Sequence, residues 1–149
     1  MALVLRKVPL PGCPFRTPWT VLALGTEKKC ELHDFLEELM RSSQRTFKRL
    51  TAILERASQG GPQFHNDQIC KRLKGTDGGS FLEFKCKVKG GHGARILGFI
   101  DEGRLIICTH GFSKKTNRTP AKEIEKLKKA YESYMQAKKN NEIVVIQEP

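Results

Sequence analysis

Between Ser80 and Val88 the apolar residues fall on every second position, and this stretch limits the fold more than any other. Leu82, Phe84, Cys86 and Val88 share one side, and Glu83, Lys85 and Lys87 share the other. A period of two is that of a β-strand. The pattern predicts a strand with a core face and a second face turned to solvent or ligand. Lys89-Gly90-Gly91-His92-Gly93 then reads as a glycine-rich loop into a strand over 94–100. Asp101-Glu102-Gly103 reads as a turn into another strand over 105–110. Three strands joined this way predict an antiparallel meander.

Upstream the period is different. Phe35, Leu36 and Leu39 follow the spacing of one helix face, and Phe47, Leu50, Leu54 and Ala57 form a second stripe after the break at Ser42-Ser43-Gln44. Together they predict an α-hairpin over about 31–58. Trp19 to Leu24 is a short apolar run suited to a first strand, and Gly60-Gly61-Pro62 ends the second helix. Residues 63–79 read as polar loop. Downstream, Thr119 as N-cap and Pro120 at the first helical position open a helix whose inner face carries Ile124, Leu127, Tyr131 and Tyr134. EIVVI, residues 142–146, reads as an edge strand or a dimer contact. The chain of 149 residues thus predicts a domain at 19–139, an irregular proline-bearing arm at 1–18, and a tail or extra edge strand at 140–149.

The net charge of +11 points to polyanionic partners. It is unevenly placed, with 10 Lys and Arg against 7 Asp and Glu in 1–70, and 17 against 9 in 71–149. The C-terminal part is therefore expected to carry a positive face. The five cysteines form no C-x-x-C pair and read as reduced thiols of a cytoplasmic protein, Cys86 and Cys108 packing as small apolar groups. No run approaches the length of a membrane span, and the first 18 residues lack a signal-peptide core.

No zincin, Walker, dinucleotide or nucleophile-elbow motif occurs, and the acids are poorly spaced for a two-metal site. No metal or small-molecule cofactor is expected. The basic residues remain. Lys85 and Lys87 project to one side of their strand, and Arg95, Lys114, Lys115 and Arg118 gather near them if the meander pairs in order. Such cations can hold a phosphodiester and stabilise a five-coordinate phosphorus. The alternative is a solvated strand face. His110 reads as a proton-transfer group or as a structural histidine; His92 lies in the glycine loop.

The segment FLEFKCKVKGGHGARILGFIDEGRLIICTHGFSKKTNRTPAKEIEKLKKAYESY, with HGFSKKTNRTP as its most specific block, resembles the HigB-like, phage-derived toxins of the RelE superfamily. Glu31 to Leu39 is similar to that family's first helix, so the resemblance covers about 19–134. It implies an α+β, RelE-like fold, with an antiparallel sheet of about four strands packed against an N-terminal α-hairpin, plus a C-terminal helix. It also implies the toxin of a type II toxin–antitoxin system, a ribosome-dependent endoribonuclease (mRNA interferase). Such an enzyme cuts translated messenger RNA through attack by the ribose 2′-hydroxyl, without metal. The implied partners are messenger RNA on the ribosome and a helix-turn-helix antitoxin. Carried over by position, Lys85, Lys87 and Arg95 would be catalytic, with His110 beside them, and Lys114, Lys115, Arg118 and His92 would bind RNA. Ala94 stands where an aromatic residue commonly precedes the family arginine, and Lys85 where arginine is frequent. A non-catalytic RNA- or ribosome-binding module on the same fold is the competing reading.

Overall fold

The computed structural model describes residues 2–13, 16–66, 68–73, 80–87, 93–114 and 119–146, with Lys114 described in its backbone alone. Among them the elements run β1 (Leu3–Lys7), β2 (Thr20–Gly25), α1 (Glu31–Ser42), α2 (Gln44–Gly60), β3 (Cys70–Arg72), β4 (Ser80–Cys86), β5 (Gly93–Asp101), β6 (Leu105–Lys114), α3 (Ala121–Lys139) and β7 (Ile143–Ile146).

The α+β class holds, but the expected sheet does not. Instead of about four antiparallel strands there are seven, in the order β3-β4-β5-β6-β2-β1-β7, and the sheet is mixed. The β4-β5-β6 meander is antiparallel, whereas β2 runs parallel to β6 and β7 parallel to β1. Four buried residues in a row, Val21 to Leu24, make β2 apolar on both sides, as a strand covered on both faces requires. The predicted irregular arm holds β1, which pairs with β2 through Val4, Leu5, Arg6 and Lys7. Residues 143–146 form an edge strand, and β3 lies within the segment that reads as polar loop.

The N-terminal α-hairpin is also corrected. Both helices form, but two strands precede them, and Ser43 alone separates them. One residue is too short for the reversal an antiparallel helix pair needs. Ser43 instead accepts a hydrogen bond from the Thr46 N–H at 3.4 Å and caps α2. The two helices turn a corner and spread over one face of the sheet. There Leu32, Leu36, Leu39, Leu50 and Leu54 pack with Ala23, Leu82, Phe84, Ile96 and Cys108.

A second core fills the opposite face under α3, where Phe81, Leu97, Phe99, Ile107, Leu127 and Tyr134 pack with Tyr131. Tyr131 meets Phe81 and Phe99 edge-on, with ring centroids 5.2 and 5.0 Å apart. Because α3 lies here, the face predicted to meet solvent or ligand is largely covered: Glu83 is buried, Lys85 half-buried and only Lys87 exposed. The helix begins at Ala121 with Pro120 at the cap, and the Thr119 hydroxyl bonds to the Glu83 carboxylate instead of capping it.

Candidate nucleic-acid interface

Three neighbouring strands assemble the site. Lys85 stands opposite Arg95, and Arg95 opposite Phe112; one step along, Glu83 stands opposite Leu97, and Leu97 opposite His110. The meander therefore pairs in order and brings Lys85, Arg95 and His110 to one patch beneath the first turns of α3. His110 reaches that face through an irregularity. Leu97 pairs with His110 but Gly98 pairs with Cys108, so Thr109 is an extra residue in β6. A strict alternation would put His110 on the side of Ile106 and Cys108, in the core under α1 and α2. The bulge reverses the phase and turns His110 and Phe112 toward α3. Gly98 permits it, because a Cβ there would run into the backbone of Ile107 and Cys108. Gly111, now on the other face, lies against the Phe35 ring of α1 with no room for a side chain.

Each ring nitrogen of His110 faces a polar group. The Thr109 hydroxyl donates to the Leu97 carbonyl at 3.3 Å and lies 2.8 Å from His110 Nδ1. The Nε2 atom faces Glu123 Oε1 at 3.4 Å. Burial pushes the imidazole pKa below its ordinary value, Lys126 adds to this, and Glu123 and Glu31 oppose it.

Burial divides the sequence-predicted residues. Arg95 is 1% exposed and His110 2%, whereas Lys87 lies open at the end of β4. β6 extends through Lys114, farther than the loop expected from Gly111, so the first part of HGFSKKTNRTP is strand. His92, Lys115 and Arg118, and the side chain of Lys114, lie outside the described residues. Sequence reasoning missed Glu83, Thr119 and Glu123 as parts of this site. Glu83 shares a strand face with Lys85, and that alternation could have flagged it; Glu123 on a charged helix offered no comparable sign. Among the described residues no group of three or more His, Cys, Asp or Glu side chains is placed to hold a metal ion. No described helix is long and apolar enough to cross a membrane.

Fold and site together define an α+β protein whose meander carries a buried ionic patch with a basic outlet at Lys85 and Lys87. The family model described as Phage derived protein Gp49-like (DUF891) matches residues 34–132, and the chain belongs to that family, one of RelE-like toxins associated with toxin–antitoxin systems. The match runs from α1 into α3 and takes in the whole patch. No curated protein matches the chain.

Proposed function

We propose that the chain is a HigB-like toxin of a toxin–antitoxin pair, an endoribonuclease that acts in the cytoplasm on messenger RNA held by the ribosome. Its partner would be a helix-turn-helix antitoxin. The observation that carries this reading is Lys85 directly opposite Arg95, with Lys87 exposed just past the end of the same strand, in a member of a toxin–antitoxin-associated family. The proposed chemistry needs no metal: the 2′-oxygen attacks the adjacent phosphorus, the bond to the 5′-oxygen breaks, and a 2′,3′-cyclic phosphate and a 5′-hydroxyl result. One proton leaves the attacking hydroxyl and one reaches the departing oxygen. Lys85 and Arg95 supply positive charge to the five-coordinate phosphorus, and Lys87 holds the strand. His110 is proposed to take part in proton transfer through Nε2, the ring nitrogen that faces Glu123. Lys114, Lys115, Arg118 and His92 are proposed to bind the flanking backbone.

The burial of Arg95 and His110 favours a second reading, an RNA- or ribosome-binding module without chemistry. For either side chain to touch RNA, the first turn of α3 has to move from the sheet. Induced expression tests both readings. On the first, growth stops and ribosome-bound messages are cut, while Lys87→Ala combined with Arg95→Ala relieves both effects in a variant that still folds. Full toxicity in that folded variant would remove these residues from the site. Salt-dependent ribosome binding with intact messages at saturating protein would select the second reading.

A further inference from the structure

Helix α2 and the β3–β4 edge of the sheet line a cavity of about 630 Å³. Its α2 wall carries Arg49, Ala52, Ile53 and Arg56, which fall on one helix face. Its strand wall carries Lys71, Lys85 and Lys87. Five cations line it, and none of its described lining residues is acidic. Arg49 is held in place by donating from Nη1 to the Lys87 carbonyl at 2.9 Å, tying α2 to the end of β4.

We propose that this groove is a second phosphate-binding site, which takes the backbone of a single RNA strand running over the β4 edge from the patch at Lys85. The inference rests on the RNA reading above and extends it to Arg49, Arg56 and Lys71. Two features select a nucleic-acid strand. The cations come from both α2 and the sheet edge, with Arg49 and Arg56 separated by roughly 10 Å along α2, a spread that suits successive phosphates better than one small anion. A peptide adding to the sheet edge would need the Lys85 N–H, but that group already donates to the Ile69 carbonyl at 2.9 Å. Lys85 lines the groove and stands opposite Arg95 in the sheet, so the groove and the patch meet at this residue.

The test is binding of a fluorescent single-stranded RNA to the full chain across a salt series, for wild type, Arg56→Ala with Lys71→Ala, and the charge-keeping Arg56→Lys with Lys71→Arg. Arg56 and Lys71 are exposed and lie outside the proposed catalytic set. The alanine pair is expected to weaken binding about tenfold and to lower the slope of log affinity against log salt by about 1.4, from roughly 0.7 per phosphate contact. The charge-keeping pair is expected to restore both, with unchanged thermal midpoints. If wild type binds RNA and the alanine pair matches it in affinity and slope, the groove proposal falls and the RNA reading stands. If wild type binds no RNA even at low salt, both fall. An acidic peptide that binds wild type more tightly than RNA, and loses affinity in the alanine pair, would overturn the groove's assignment to RNA.

Discussion

His110 Nε2 lies 3.4 Å from Glu123 Oε1, so a buried imidazole on β6 faces a carboxylate from the first turn of α3. Burial keeps the folded His110 pKa below 6.5. A lowered folded value means that the unfolded chain takes up the proton first. The stabilisation is therefore present above about pH 6.5 and is lost as the pH falls from there through the folded value. Urea unfolding between pH 7.5 and 5 should show this decline, and His110→Gln should flatten it. An equally steep decline in the variant would assign the effect to another group.

A second contact fastens the far half of α3. Tyr134 donates its hydroxyl hydrogen to Asp101 Oδ2 at 2.5 Å, and Lys138 Nζ lies 2.9 Å from Oδ1. Burial alone would raise the Asp101 pKa, but these hydrogen bonds outweigh it and hold the carboxyl below its usual range. This stabilisation is full above about pH 4 and disappears as the pH falls through the folded value. Tyr134→Phe should lower stability by about 2 kcal/mol, the range for a hydrogen bond to a charged group. Equilibrium denaturation at pH 7 measures it, and a change below about 0.5 kcal/mol would show the bond to be energetically idle.

Gly98→Ala should destabilise the fold by about 3 kcal/mol or more, because the added Cβ meets the backbone of β6, which cannot rotate away as a side chain can. Gly111→Ala meets the Phe35 ring instead, and that ring can shift. Its effect should be smaller. Chemical denaturation of the two variants ranks them, and a milder effect at Gly98 would mean that the bulge tolerates a methyl group.

The five thiols are free, and Cys30, Cys70, Cys86 and Cys108 are buried while Cys13 is partly exposed. Burial pushes the Cys70 pKa up to about 12 and raises those of Cys30, Cys86 and Cys108. A thiol-reactive disulfide reagent at pH 8 should therefore modify Cys13 in the native protein and all five cysteines after unfolding. Rapid native labelling of Cys108 would contradict the packing beneath α1 and α2.

Much of the local structure was legible because short-range periodicity encodes it. The alternation of Leu82, Phe84 and Cys86 defined β4, and the stripes at Leu36–Leu39 and Leu50–Leu54 defined α1 and α2. Lys85 and Arg95 could be expected together because consecutive hairpins pair in order. β1 and β3 escaped notice since they are short and mixed in polarity, and they gain strand geometry by pairing with β2 and β4. The parallel contact of β2 with β6 joins segments about 85 residues apart, and no local pattern reports such a pairing.

By itself, then, the sequence determined the helix stripes, the meander and the abundance of cations in its second half, since each follows from residue type and spacing along a few turns or pleats. Tertiary structure decided which way those groups face. Thr109 adds one residue to β6 and reverses its phase, placing His110 opposite Leu97 under α3 instead of in the core under α1. α3 then buries Glu83 and Arg95 on a face whose alternation alone suggested solvent or ligand. Strand alternation states that two faces exist; what covers each depends on contacts between residues far apart in the chain.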